Sequence, residues 1–222
     1  MEPLQITRDY ELYEENLEYE KSKGYSFVKR LIDFAGALFG IIVLSPILLI
    51  AALVIKIDSN GPVIFSQERV GKNGKLFKMY KFRSMVTNAE ELLDKLKEKN
   101  EMSGPMFKMT RDPRVTKVGR FIRKTSIDEL PQLFNVIRGE MSLVGPRPNL
   151  PREVEEFTSY QMQKLTVKPG LTCYWQVMGR SSIDFEDWME LDIKYLKERN
   201  LWVDIKLIVR TFFVLFGDRN AR

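Results

Sequence analysis

The sequence predicts an α+β, mainly helical protein. A kinked, re-entrant membrane helix joins a small cytoplasmic domain with a short β-hairpin and amphipathic helices lying at the membrane interface. Three observations carry that expectation. Phe34 to Ile55 is a run of 22 residues without one charge, interrupted near its middle by Ser45-Pro46. Two stretches of near-alternating apolar residues flank the turn signal Gly71-Lys-Asn-Gly74. Residues from Arg111 and from Leu201 combine apolar positions with cations at helical spacing.

As a helix the uncharged run is roughly 33 Å long, against a hydrocarbon core of ~30 Å. A buried helix of a soluble protein usually keeps a polar face, and this run has none. Pro46 removes one backbone hydrogen bond and crowds the preceding turn, so a kink is expected at Ser45 and Pro46. Lys23, Lys29 and Arg30 precede the run, and Lys56, Arg69 and Lys72 follow it. The positive-inside rule therefore draws both ends to the cytoplasm, which a helix that enters and leaves by one face satisfies. A kinked helix that spans the bilayer is the competing topology. Residues 2–20 hold seven acids against the single base Arg8, the opposite of a signal peptide. The expected organisation is an acidic tail over 1–22, the membrane helix region over 23–57 and a membrane-associated cytoplasmic domain over 58–222.

Within that domain, Pro62–Ser66 and Lys75–Arg83 read as the strands of the hairpin. Asn88 can cap a polar helix, AEELLDKLKEKN, whose acids precede its lysines as the helix dipole favours. Arg111 to Lys124 reads as one basic amphipathic helix, suited to anionic headgroups, with nucleic-acid binding and a plain solvated face as the alternatives. Leu201 to Phe216 is too charged to span. It is expected at the interface with Trp202 at headgroup depth and with Asp204, Lys206 and Arg210 on its polar side, or else closing a protein core.

Composition narrows the chemistry. The 222 residues include no histidine and one cysteine, which excludes Ser-His and Cys-His triads, His- or Cys-cluster zinc and a disulfide framework. Carboxylates, hydroxyls, cations or an oxygen-liganded metal must carry any reaction. The net charge of +5 favours an anionic partner. The informative stretch is Thr125 to Ile137, where Asp128 and Glu129 stand side by side. Ser126-Ile-Asp-Glu129 also matches a capping box, so the pair reads equally as a helix start, yet Pro131 is discordant inside such a helix. An Asp at a helix start among cations should stay ionised, ready to act as nucleophile or metal ligand. Two carboxylates without nitrogen ligands suit Mg²⁺. Arg147, held between two prolines, is suited to fork onto a phosphate. Lys168, Arg180, Lys81 and Arg83 are further cations presented near turns or on the hairpin.

In this order the segments KRLIDFAGALFGIIVLSPILL, GPVIFSQERVGKNGKLFKMYKFRSM, TSIDELPQLFNVIRGEMSLVGPRP and KPGLT followed by WQVMGR resemble the bacterial sugar transferase family. These are monotopic phosphoglycosyl transferases, and the likeness runs from Val28 to Phe216. The resemblance implies a re-entrant helix broken at Ser45 and Pro46, which the charge argument reaches independently. It further implies a catalytic dyad at Asp128 and Glu129, with Asp128 the nucleophile and Mg²⁺ held near the pair. Lys81, Arg147, Arg180 and Arg83 would hold substrate phosphate. The implied partners are a UDP-sugar donor, an undecaprenyl phosphate acceptor and membrane lipid at the cytoplasmic face, with no nucleic acid. Sugar 1-phosphate, glucose or galactose by the subgroup likeness, would pass to the lipid through a phosphosugar-aspartyl intermediate with release of UMP, opening surface polysaccharide synthesis.

The chain departs from the family where many members read Gly-Trp-Ala after the KPG turn and it reads Cys173-Tyr174-Trp175, which bears on sugar contacts rather than on the chemistry. Exposed membrane-proximal surface could also pair two copies into a homodimer. A non-enzymatic module that binds anionic membranes, with the acid pair only a helix cap, and a membrane-anchored nucleic-acid binder are the rival readings.

Overall fold

The computed structural model describes residues 21–101, 103–178 and 183–217. The acidic segment through residue 20, and Arg180, lie outside the described residues. The molecule is mainly helical, with a long apolar helix α1 (Lys23–Asp58) and an antiparallel hairpin of β1 (Ile64–Val70) and β2 (Leu76–Phe82). Shorter helices follow, then a closing pair, α8 (Phe185–Glu198) and α9 (Leu201–Gly217).

Helix α1 starts where the Ser22 hydroxyl accepts from the Tyr25 amide at 3.2 Å, and runs unbroken through Pro46. The continuity has a local cause. Pro46 has no N–H to offer the carbonyl four residues back, that of Ile42, and the Ser45 hydroxyl donates to that oxygen at 2.8 Å instead. One face of α1 is fixed to the rest of the chain. The Ser142 hydroxyl and the Leu143 amide both donate to Asp33, each at 2.9 Å. Ala37, Ile41 and Leu44 pack with Phe77, Met79, Leu133, Val136 and Met141. Beyond Pro46, Leu48, Ala51, Ala52 and Ile55 pack with Phe82, Val118, Ile122 and Ile127. The other face is bare, with Phe39, Ile42, Leu49, Ile50, Leu53 and Ile57 all more than 60% exposed. A core helix of a soluble protein would be mostly covered, whereas α1 is mostly bare and is long and apolar enough to cross a membrane.

The hairpin turns on Asn73 and Gly74, both left-handed at φ 57° and 70°, which suits an Asn-Gly pair. Its register sets Phe65 against Lys81 and Ile64 against Phe82. The polar helix expected after Asn88 is shorter than the pattern suggested: α2 covers Ala89–Leu93 and tightens into a 3₁₀ turn over Asp94–Lys99. Asn88 makes no capping bond and α2 buries no residue, so no packing extends it. The basic stretch is likewise only partly helical. Helix α3 (Lys117–Lys124) is capped by Thr116, whereas Arg114 is buried, paired with Asp112 at 2.7 Å. Within α3, Val118 and Ile122 face α1 while Lys117, Arg120, Arg123, Lys124 and Phe121 lie exposed.

Helix α4 (Gln132–Arg138) lies along α1, and the Arg30 guanidinium donates to the carbonyls of Val136 and Ile137, both at 2.6 Å, at its C-terminal end. Two three-residue strands, β3 (Ser142–Val144) and β4 (Gly170–Thr172), form a parallel pair that no sequence pattern announced. Between them lie α5 (Pro151–Val154) and α6 (Ser159–Met162), and α7 (Tyr174–Met178) follows β4. Helix α8 supplies Trp188, Met189, Ile193, Tyr195 and Leu196 to the core.

Helix α9 closes a protein core through Val203, Leu207 and Ile208, and Asp204 departs from the expected polar side. Asp204 is buried: it accepts from Lys29 and from the Tyr195 hydroxyl, both at 2.7 Å, and from the Tyr25 hydroxyl at 3.3 Å. Trp202, Ile205, Val209, Phe212 and Phe213 form the exposed stripe, with Lys206 and Arg210 also outward. The polar side chain faces protein because its partners are there, and the apolar stripe faces out. Accordingly Asp204→Ala should cost about 2–4 kcal/mol, because it strands a half-buried lysine and a buried tyrosine, whereas Lys206→Ala should stay within about 0.5 kcal/mol. Thermal unfolding of the detergent-solubilised variants checks this.

Candidate active site

Asp128 and Glu129 sit in a 3₁₀ turn, Ile127–Glu129, between α3 and α4. The capping box does not form. Ser126 adopts a left-handed conformation at φ 56° and makes no capping hydrogen bond. Helix α4 begins instead after Pro131, which occupies its N-cap. The proline that looked discordant therefore opens a helix at a position where its missing N–H is harmless. The acids precede the helix rather than cap it, and a non-glycine residue held at positive φ two positions before Asp128 is a local cost imposed at this site.

Three elements converge on the pair. Lys81 on β2 donates to Glu129 Oε1 at 2.7 Å. Arg147, in the loop after β3, brings Nη1 to 3.9 Å from the same oxygen. Gln176 on α7 donates from Nε2 to Glu129 Oε2 at 3.4 Å. Lys81, Glu129, Gln132, Arg147, Trp175 and Gln176 line one cleft.

Each partner is fixed from behind. Asn135, fully buried on α4, donates from Nδ2 to the Lys78 carbonyl at 2.7 Å and accepts from the Tyr80 amide at 3.0 Å, which clamps β2 and so Lys81 against the acid turn. The Arg147 guanidinium lies 5.5 Å from the ring centres of both Trp175 and Trp188, whose rings are themselves 4.7 Å apart. Beneath them, Lys164 pairs with Asp192 at 2.6 Å in full burial and donates to Asn149 Oδ1 at 2.7 Å. Arg69 holds the Pro148 carbonyl at 3.2 Å. The Gly170 amide donates to the Pro146 carbonyl at 2.9 Å, and a Cβ on Gly170 would lie 2.0 Å from the Gly145 nitrogen. Only glycine lets those two backbones meet.

Burial pushes the Asp128 carboxyl up to about 6, with Glu129 adding to the rise and Lys81, Arg123 and Arg147 opposing it. The sequence argument had cations and a helix dipole holding it low. The dipole is missing because the acids lie outside α4, and desolvation of a side chain left 8% exposed outweighs the cations. Asp128 is still mostly ionised at pH 7.

Arg83 does not join this group. Its Nη2 donates to the Ser59 carbonyl at 2.6 Å and to the Ser59 hydroxyl at 3.1 Å, at the C-terminal end of α1. Lys168 lies with Arg30 beside Gly139 at the far end of α4, where cations complement the helix dipole. Ser45 and Pro46 lie in α1 between the residues that pack under Ile127 and those that pack under Leu133, which puts the middle of α1 beneath the acid turn. The supporting residues Asn135, Trp188, Lys164 and Asp192 gave no signal in the sequence, and Trp175 and Gln176 only that of the WQVMGR segment.

A family model described as bacterial sugar transferase matches residues 24–218. The chain belongs to the bacterial sugar transferase family. It is 44% identical over 220 residues to a galactosyl transferase, CpsE, of Streptococcus agalactiae, a match covering 99% of this chain and 49% of that protein. It is 43% identical to an undecaprenyl-phosphate galactose phosphotransferase of Salmonella typhimurium, over 88% of this chain and 42% of the relative. An exopolysaccharide production protein, ExoY, of Rhizobium meliloti is 37% identical over 82% of this chain and 83% of its own length. The chain thus spans about half, or less, of the first two relatives. As a family member it carries the acid turn, the Lys81 hairpin and the GPRP loop within the matched region.

The raised Asp128 carboxyl has a consequence for stability. Its ordinary value is 3.8, so the folded state prefers the protonated form, and ionisation weakens the fold as pH rises through about 6. Removing the charge should relieve a penalty on the order of 3 kcal/mol at neutral pH. Asp128→Asn should therefore raise the thermal midpoint at pH 7.5 by several degrees and at pH 4.5 by only about a third as much, read by thermal unfolding in detergent.

Proposed function

We propose that this protein transfers a sugar 1-phosphate from a UDP-sugar to undecaprenyl phosphate, releasing UMP, at the cytoplasmic face of a bacterial inner membrane. The observation that carries the reading is the buried Asp128 beside Glu129, with Lys81 and Arg147 converging on the pair above an apolar helix with an uncovered face. One substrate is soluble and the other is confined to lipid, so the reacting carboxylate has to stand at the boundary between them.

In this reading an Asp128 oxygen attacks the sugar-bearing phosphorus of the donor. An aspartyl O–P bond forms, the anhydride P–O bond breaks, and its electron pair leaves with UMP. A phosphate oxygen of undecaprenyl phosphate then attacks the same phosphorus, the aspartyl bond breaks and the carboxylate returns. Lys81 and Arg147 neutralise charge as it builds on the phosphoryl oxygens. Glu129 holds Lys81 at that spot, and the Trp175 and Trp188 rings hold Arg147 there. Arg123 belongs to the same positive field around Asp128.

Among the described residues no group of three acids, histidines or cysteines gathers for a metal. Asp128 and Glu129 alone still suit Mg²⁺, which accepts one or two carboxylates and completes its shell with substrate phosphate and water. When bound, it would add Lewis-acid neutralisation of the phosphates. Galactose or glucose is the proposed sugar, and the names of the first two relatives support galactose.

The topology proposed is re-entrant. The cytoplasmic domain packs on α1 from Asp33 through Ile55, on both sides of Pro46, which disfavours a helix that leaves the domain to cross the bilayer. The exposed stripe of α9 and Phe121 of α3, ringed by cations, would rest in the headgroup layer.

Purified protein with Mg²⁺ and undecaprenyl phosphate should release UMP from UDP-galactose or UDP-glucose, and Asp128→Asn should reduce this by at least about 10³-fold. A covalent intermediate requires that, without lipid acceptor, wild type release one equivalent of UMP and stop. Without Mg²⁺, the acid limb of kcat/KM should fall near pH 6, since the attacking carboxylate protonates there. Topology has its own test. The only native cysteine, Cys173, is buried, so Ser22→Cys and Ser59→Cys should both react with an impermeant thiol reagent from the cytoplasmic side alone; labelling from opposite sides would exclude the re-entrant helix.

A further inference from the structure

One buried polar atom in the cleft is unaccounted for. Gln176 is 7% exposed and donates from Nε2 to Glu129 Oε2 at 3.4 Å. That bond fixes the orientation of the amide, because turning it over would set its oxygen against a carboxylate. Gln176 Oε1 is thereby left buried, and it meets no hydrogen-bond donor among the described residues. An acceptor in that position is costly to the free protein and becomes satisfied when a ligand brings a donor.

Its place narrows the ligand group. Gln176 touches Glu129 and lines the same cleft as Lys81, Arg147 and Trp175. Under the reaction proposed above, on which this inference rests, the phosphorus under attack lies at Asp128, one residue away. The groups closest to that phosphorus are the hydroxyls of the sugar attached to it. The uracil stands beyond a second phosphate and a ribose. We infer that Gln176 Oε1 accepts a hydrogen bond from a ring hydroxyl of the donor sugar, so that Gln176 selects the sugar while its own amide is held in register by Glu129.

The arrangement makes specificity and chemistry share one residue pair. Glu129 Oε1 holds the phosphate-facing cation Lys81, and Glu129 Oε2 orients the group that reads the sugar. A donor lacking the hydroxyl leaves Oε1 buried without a partner among the described residues, which is the condition under which a polar site discriminates strongly.

The test uses the full chain in detergent with Mg²⁺ and undecaprenyl phosphate, UMP release as readout, and the donor it turns over beside that donor's monodeoxy analogues. Wild type should lose about 10- to 100-fold in kcat/KM on one analogue. Gln176→Met, similar in size but without donor or acceptor, should show that loss on the parent donor and no further loss on the same analogue. Gln176→Glu keeps an acceptor oxygen and should retain the discrimination even where its overall rate is lower. A wild type indifferent to every ring hydroxyl, or a Gln176→Met variant that discriminates as wild type does, would overturn the inference, and the wild-type series decides it even where a variant does not fold. A wild type that releases no UMP from any parent donor would instead sink the reaction itself, and this assignment with it.

Discussion

Leu44 and Leu48 stand on either side of Pro46, yet both rest on the same domain, one beneath Leu133 and Met141 and the other beneath Ile122 and Ile127. That double attachment constrains everything above it. The turn carrying Asp128 joins the two helices, α3 and α4, that cover the two halves of α1, so the acid pair is fixed over the helix's middle. Arg30 and Asp33 repeat the attachment nearer the start of α1, binding the end of α4 and the edge of β3. A helix so tethered cannot shift along its axis without moving the site. The Ser45 hydroxyl matters for the same reason: in lipid the orphaned Ile42 carbonyl would have no water to turn to.

Electrostatics at the site reflect two demands in conflict. Under the reaction proposed above, the attacking carboxylate must be ionised, and one at the boundary with lipid must be largely removed from water. Burial alone would protonate it, as the upward push to about 6 indicates, and the cations from β2, α3 and the GPRP loop limit that rise. Glu129 opposes them by raising its neighbour, but it also gathers Lys81 and Arg147 onto one oxygen. The result is a carboxylate that is charged at neutral pH and incompletely neutralised, a combination that costs stability and suits the reaction proposed above.

The long helix, the hairpin and the acid pair were legible because each is written locally: an uncharged run, an Asn-Gly turn between alternating strands, two adjacent carboxylates. What the sequence hid depends on distant partners. Asp204 was read as solvent-facing because polar residues usually are, but Tyr195 and Lys29 bind it inward while Trp202, Ile205 and Val209 take the outer face. A periodicity argument finds the two faces of a helix and cannot say which one meets protein. Arg83 and Arg147 looked alike as cations near turns, yet Arg83 closes the end of α1 and Arg147 reaches Glu129. The capping-box pattern at Ser126 failed because Pro131 could not occupy the interior of the helix the pattern proposed, and the chain resolved the conflict with a 3₁₀ turn.

The Lys164–Asp192 pair beneath Arg147 carries the same logic into the core. Apolar residues of similar volume usually stabilise a core as well as a buried ion pair does, so the pair is better understood through geometry than through stability. Lys164 bonds Asn149 and lies 5.9 Å from the ring centre of Trp188, while Arg147 lies 5.5 Å from that same ring. A lysine there ties the Asn149 side chain, two residues after Arg147, and the indole beneath its guanidinium to one fixed charge. Arg147 needs such anchoring because its contact with Glu129, at 3.9 Å, is too long to hold the guanidinium unaided. Its position comes from the indoles and from the buried network behind them. The side chain is thereby kept in place while its hydrogen-bonding capacity stays largely uncommitted among the described residues, as the proposed role in holding phosphate requires.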